Sequence, residues 1–149
     1  MLVSIVGYSQ NDSTFIKTND DDMTGDTSYT VNRSFIVAND KQNLGAVLRA
    51  STSGKTKKVN FLIVTVVGLG CVENVTLLIK FKDGTLWKGN SWNKFSCKGA
   101  AYYNITGDLA ENLKTKELQT IRITNGRNYK NFTYDVKPKD RRYFIPILR

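Results

Sequence analysis

Histidine is absent from this chain of 149 residues, and its only cysteines are Cys71 and Cys97. Without imidazole the commonest general base and metal ligand is missing, which excludes Ser-His-Asp, Cys-His and HExxH chemistry. Two thiols cannot hold a structural zinc by themselves, and a spacing this wide is not the C-x-x-C of a redox centre. Two readings stay open for the pair: one disulfide in an oxidising compartment, or two buried thiols. A bridge would close a loop of about 25 residues, worth roughly 3 kcal/mol in the chain-entropy model.

The acidic cluster Asp20-Asp21-Asp22, followed by Met23-Thr24-Gly25-Asp26, is rich enough in oxygen to suggest a Ca²⁺ loop built on Asp20, Asp22 and Asp26. An EF-hand needs an acidic residue at its twelfth position, here Val31, so the expectation is instead a tight turn. In that turn Gly25 supplies positive φ and the carboxylates cap backbone amides. Gly54-Lys55-Thr56 fails as a phosphate loop, because the first glycine of G-x-x-x-x-G-K-[ST] is replaced by Arg49. The remaining carboxylates offer no acid–base pair: Asp108 and Glu111 fit a helix capping box and Asp83 fits a turn. The sequence therefore points away from an enzyme, and no cofactor is implied.

Charge is the strongest functional signal. A formal +9 is unevenly placed, with eight basic residues against two acidic from Thr120 onward, a local net of +6. Arg127, Lys139, Arg141 and Arg142 from this segment, with Trp87 on an outward strand face and Trp92 in a loop, form the expected basic and aromatic binding surface. Such a surface suits an anionic partner, although solvated basic faces are common. No RNP, KH or zinc-knuckle signature marks it for nucleic acid. Five N-x-[ST] sequons begin at Asn11, Asn32, Asn74, Asn104 and Asn131 and read as chance in an asparagine-rich chain.

The elements that must carry these residues are strands. Val75 to Lys88 alternates apolar and polar residues about Asp83-Gly84, the dipeptide of a type I′ hairpin turn, which sets Phe81 opposite Leu86 and Lys80 opposite Trp87. Asn125-Gly126 predicts a second such hairpin between Leu118–Thr124 and Tyr129–Val136. Ser28–Val37, Leu44–Ala50 and Ala100–Ile105 read as strands, and the β-branched run Val59–Val67 as a central strand covered on both sides. A single short helix is expected over Leu109–Lys114, with Asp108 as N-cap and Glu111 reaching back. Lys137-Pro138 should end the last strand, and Tyr143, Phe144, Ile147 and Leu148 should dock, through one helical turn stopped by Pro146. The sum is an all-β, antiparallel β-sandwich of immunoglobulin-like or jelly-roll-like type, with a partly open β-barrel as the alternative. One domain is expected over 11–149. Residues 1–10 are either the remnant of a truncated signal peptide or a first strand. No apolar run reaches the roughly 18 residues of a spanning helix.

Several motifs together carry a family resemblance. These are D-x-M-T-G-D-T at Asp21 to Thr27, a β-run ending at Cys71, the Asp83-Gly84 hairpin, Cys97 before Tyr102 and Tyr103, and L-K-T-K-x-L-x-x-I-R-I at Leu113 to Ile123. Their order over about Asp20 to Leu148 resembles a group of small, mostly uncharacterised β-rich bacterial proteins, typically exported or lipid-anchored in Gram-negative cells. The resemblance implies a periplasmic or extracellular location; the basic surface adds the expectation of a structural or binding role there, with an anionic envelope polymer or an acidic protein as partner. The alternative is a cytoplasmic or virion-associated basic module that binds nucleic acid or an acidic protein.

Overall fold

Two four-stranded antiparallel sheets, each apolar on one face, are the main product of the alternation. The computed structural model describes residues 15–39, 41 and 43–149, so the residues 1–10 considered as a signal remnant lie outside it. Among the described residues there are twelve strands. The first sheet has the order β10-β5-β4-β3, from β3 (Phe35–Asn39), β4 (Leu44–Thr52), β5 (Val59–Val67) and β10 (Ala100–Asn104). The second has the order β12-β11-β7-β8, from β7 (Thr76–Phe81), β8 (Leu86–Asn90), β11 (Leu118–Thr124) and β12 (Asn131–Asp135). Their inner faces supply a single core in which Val37, Leu48, Leu62 and Val64 of the first sheet meet Leu77, Ile79, Phe81, Ile121 and Ile123 of the second, all fully buried. This is the expected β-sandwich, and among the described residues no sheet closes into a barrel. Two small ladders complete it: the hairpin β1 (Ile16–Asp20) with β2 (Thr27–Val31), and β6 (Val72–Glu73) with β9 (Phe95–Ser96).

Several local expectations are corrected. The hairpin about Asp83-Gly84 holds three loop residues rather than two, because Phe81 N–H bonds the Thr85 carbonyl and Gly84 N–H bonds the Phe81 carbonyl. Lys82 and Asp83 turn the chain and Gly84, at φ +91°, closes it as a bulge, the usual three-residue solution. The register slips by one: Ile79 faces Trp87 and Lys80 faces Leu86. Leu86 is therefore exposed, and Trp87 lies inward with its ring over Gly89, edge-on to Tyr103 at 6.4 Å. Beside this turn the Thr85 N–H donates to Asp83 Oδ1 and the Lys116 ammonium lies 3.1 Å from the other oxygen.

Ser28–Val37 is two strands, since the chain leaves the β1–β2 hairpin at Asn32, whose N–H bonds the Phe15 carbonyl, before β3 joins the sheet. β5 is central, but only one face is covered; Phe61, Ile63 and Thr65 on the other face are half-buried. A bulge between Leu118 and Thr120 in the β11–β7 ladder changes the parity of β11, so that Leu118 faces the core along with Ile121 and Ile123. The helix α1 (Gly107–Thr115) starts earlier than expected, with Thr106 at the N-cap and no side-chain cap bond, so Asp108 and Glu111 form no capping box. Asp108 instead sits in the first turn, where its charge favours the helix dipole.

The carboxy-terminal segment docks as expected, through a second helix, α2 (Phe144–Leu148). Pro146 lies inside that helix rather than stopping it; in a first turn its missing N–H removes no intrahelical bond. Phe35, Tyr143 and Phe144 form an aromatic trio with ring separations of 4.8 to 6.1 Å. The buried Tyr143 hydroxyl donates to the Arg33 carbonyl and accepts from the Ala50 N–H, fixing the tail to β4.

Two predictions follow from this frame. Gly99 is at φ +80°, and a Cβ there would stand 2.1 Å from the Val66 carbonyl oxygen. Gly99→Ala is therefore expected to destabilise by about 2 to 4 kcal/mol, read as a shift in the denaturant midpoint. The second prediction concerns Asp83, whose pKa is held down to about 2, first by the Thr85 N–H and then by the Thr85 hydroxyl and Lys116. A depressed carboxylate stabilises the fold above its unfolded pKa near 4 and loses that contribution as pH falls through about 2. Thermal melts of wild type and Asp83→Asn should differ at about pH 6 and converge towards about pH 2.

Candidate functional site

The residues expected to form one basic surface are divided between the two ends of the sandwich. Arg127 lies in the β11–β12 loop, whereas the Arg141 carbonyl accepts from the Leu118 N–H at the opposite end of β11. A seven-residue strand separates them, about 20 Å. Arg141 is spent on structure, its Nε–H donating to the Val136 carbonyl at 3.0 Å, and Arg142 pairs with Glu117 at 3.6 Å. Lys139 is exposed in the 3-10 turn Pro138–Asp140. Trp87 faces inward. Of the expected set, only Trp92 and Arg127 share an end.

That end is a cluster of three segments, 68–75, 91–99 and 125–130. Cys71 and Cys97 are bridged, extending the β6–β9 ladder in which Val72 pairs with Ser96 and Glu73 with Phe95. Across the bridge lies Asn125, which is fully buried. Its amide nitrogen donates to the carbonyls of Leu69 and Cys71, and its Oδ1 accepts from the N–H groups of Glu73 and Arg127. Gly126 follows because a Cβ there would stand 2.6 Å from the Glu73 oxygen that accepts the Gly126 N–H. The pair Asn125-Gly126 is thus a loop anchor and not a two-residue turn. The loop runs six residues, closed by Asn125 N–H to the Lys130 carbonyl and Tyr129 N–H to the Asn125 carbonyl. Asparagine–glycine is the right signal for a turn; only the tertiary contacts reveal that its side chain is the clasp.

The clasped loops carry four exposed cations, Lys94, Lys98, Arg127 and Lys130, against one carboxylate, Glu73. None of the four takes part in an ion pair among the described residues. The same loops hold the three exposed large aromatics of the described residues, Trp92, Phe95 and Tyr129. Trp92 stacks at 5.2 Å on Tyr102, and the Arg127 guanidinium stands 5.5 Å from the Phe95 ring centroid. Tyr129 is 80% exposed, with φ +59°. Lys94, Phe95, Lys98 and Lys130 were not among the expected site residues. A basic residue beside an aromatic at 94–95 and again at 129–130 was the available signal; the two meet through the 69–73 segment, which the disulfide and the β6–β9 ladder tie to 95–97 and the Asn125 and Gly126 bonds tie to the β11–β12 loop.

The acidic turn of the β1–β2 hairpin is organised by Asp21 rather than by the three residues considered for Ca²⁺. Asp21 Oδ1 accepts from the Met23 and Thr24 N–H groups, which lowers its pKa. Asp20 accepts the Thr27 hydroxyl, and Gly25 takes the expected positive φ. No group of three metal-ligating side chains occurs among the described residues. Among the described residues no helix is long and apolar enough to cross a membrane.

Comparison with known proteins returned no family model, no curated protein and no solved structure that matches the chain.

The clasp can be tested directly. Asn125→Ala strips four backbone groups of their partner in a buried site, and is expected to cost about 2 to 4 kcal/mol in chemical denaturation. Asn125→Asp keeps the acceptor but turns a carboxylate oxygen toward two carbonyls, and should be no more stable than the alanine variant.

Proposed function

We propose that the chain is a non-enzymatic recognition module, exported to an oxidising compartment, that binds an anionic ligand through the disulfide-clasped end of its sandwich. One observation carries this reading: Lys94 and Lys98 on one loop and Arg127 and Lys130 on another share the disulfide end with no partner carboxylate bonded to them. Like charges gathered on one rigid end repel one another, so the arrangement costs stability unless an anion relieves it. The opposite basic segment is weaker support, because Arg141 and Arg142 are occupied within the fold. Export is supported by the Cys71–Cys97 bridge, since disulfides persist chiefly in oxidising compartments, and by the resemblance to small exported proteins. A role in binding rather than catalysis is supported by the lack of histidine and of an acid–base carboxylate pair.

The experiment compares two charge-neutralised variants on a dextran sulfate column. Lys94→Gln, Lys98→Gln, Arg127→Gln and Lys130→Gln combined should elute at markedly lower salt than wild type. Lys139→Gln, Arg141→Gln and Arg142→Gln combined should shift elution much less. Equal shifts for the two variants, or no retention of wild type near physiological salt, would show that the loop end is not the recognition surface.

A further inference from the structure

The charge on the clasped loops is accompanied by apolar surface that an anionic polymer alone does not need. Trp92, Phe95 and Tyr129 are each more than half exposed, and Val67, at the end of β5 where the same loops begin, is equally open. Beside Val67 a shallow depression of about 340 Å³ runs between Ile36, Leu44 and Val47. On the outer face of the second sheet a smaller hollow is lined by Leu78 and the exposed Leu86 together with Lys80, Thr120, Arg122 and Thr133. Tyr129 adds a separate argument. Its backbone is in the left-handed region, where asparagine or glycine would sit with less strain, yet a bulky aromatic is held there with its ring in solvent.

We infer, resting on the anionic-ligand reading above, that the ligand is the surface of an anionic lipid bilayer, into whose headgroup layer Trp92, Phe95 and Tyr129 insert while the surrounding cations meet lipid phosphates. The complementarity is of two kinds at once. Lysine and arginine near a charged leaflet each add roughly fivefold to affinity, and amphipathic rings settle at the boundary between headgroups and acyl chains. A single nucleic-acid strand would instead stack bases on open ring faces along a basic groove. Here one face of Phe95 lies against Arg127 and one face of Trp92 against Tyr102, and an aliphatic residue, Val67, completes the exposed set. The disulfide and the Asn125 clasp hold the loops in place before contact, so docking carries little ordering cost.

The test is co-sedimentation with vesicles of phosphatidylcholine alone, of phosphatidylcholine with phosphatidylglycerol, and parallel retention on dextran sulfate and on single-stranded DNA. Wild type should bind the anionic vesicles at least tenfold better than the neutral ones. Phe95→Ala with Tyr129→Ala should lose at least tenfold on anionic vesicles while keeping dextran sulfate retention within about twofold. Brominated lipid should quench the tryptophan fluorescence of wild type but not of Trp92→Phe. All substituted side chains are exposed, and an unchanged thermal melt confirms that each variant folds. Retention on dextran sulfate or DNA without binding to anionic vesicles overturns the bilayer inference and leaves the anionic-ligand reading standing. No binding to any of the three overturns both. Vesicle binding that survives the double aromatic replacement, or that is equal on neutral vesicles, also overturns the inference.

Discussion

Three buried polar side chains tie this sandwich together, and the rule they obey is that a hydrogen-bonding group taken out of water must be paired. Asn125, on the chain leaving β11, makes four hydrogen bonds, three of them to Leu69, Cys71 and Glu73 in the segment that leaves β5 and crosses between the sheets. Tyr103, on β10, reaches across with its hydroxyl to the Val75 carbonyl just before β7. Tyr143, at the far end, bonds Arg33 and Ala50. The two tyrosine hydroxyls have their pKa values raised, with desolvation the leading cause, and both stay neutral donors at ordinary pH. Apolar burial alone would let two flat sheets slide; these bonds have one geometry each and fix the ends of the sheets relative to one another.

The same constraint explains why the loops at the disulfide end can be both exposed and ordered. A loop of six residues usually wraps onto the surface for want of internal contacts. Here the β11–β12 loop closes on itself and then closes on its neighbour through one amide, with the Cys71–Cys97 bridge directly behind it. Side chains that a flexible loop would fold inward are thereby held out. Phe95 and Tyr129 remain in solvent because the backbone beneath them is already bonded elsewhere.

Fold class was legible because it rests on alternation, which survives small errors of placement. The errors fell where one residue changes parity. At Asp83-Gly84 the dipeptide is equally at home in a two-residue turn and in a three-residue turn closed by a bulge, and the choice between them sends Trp87 to opposite faces. The bonds that decide it, from Phe81 and Lys82 to Thr85 and Glu117, lie partly outside the hairpin. Glycine at position 89 was a clue in retrospect: it leaves the space that the Trp87 ring covers on the inner face. The bulge in β11 is similar, since the spacing of Leu118, Ile121 and Ile123 fits no strict period of two.

The candidate site was less legible because charge was counted along the chain rather than in space. A run of basic residues after Thr120 is real, but β11 and β12 carry it to both ends of a sheet, and the carboxy-terminal part is consumed by the Val136 carbonyl and by Glu117. The cations at the disulfide end come from two segments far apart in sequence, 94–98 and 127–130, joined through the 69–73 segment by the Asn125 bonds and by a bridge whose existence composition alone left undecided. Once Cys71–Cys97 is closed, Phe95 is paired to Glu73, Glu73 to Gly126, and Arg127 to the Phe95 ring, a closed circuit of contacts. The disulfide thus closes one side of that circuit, directly beside Val72 of the core.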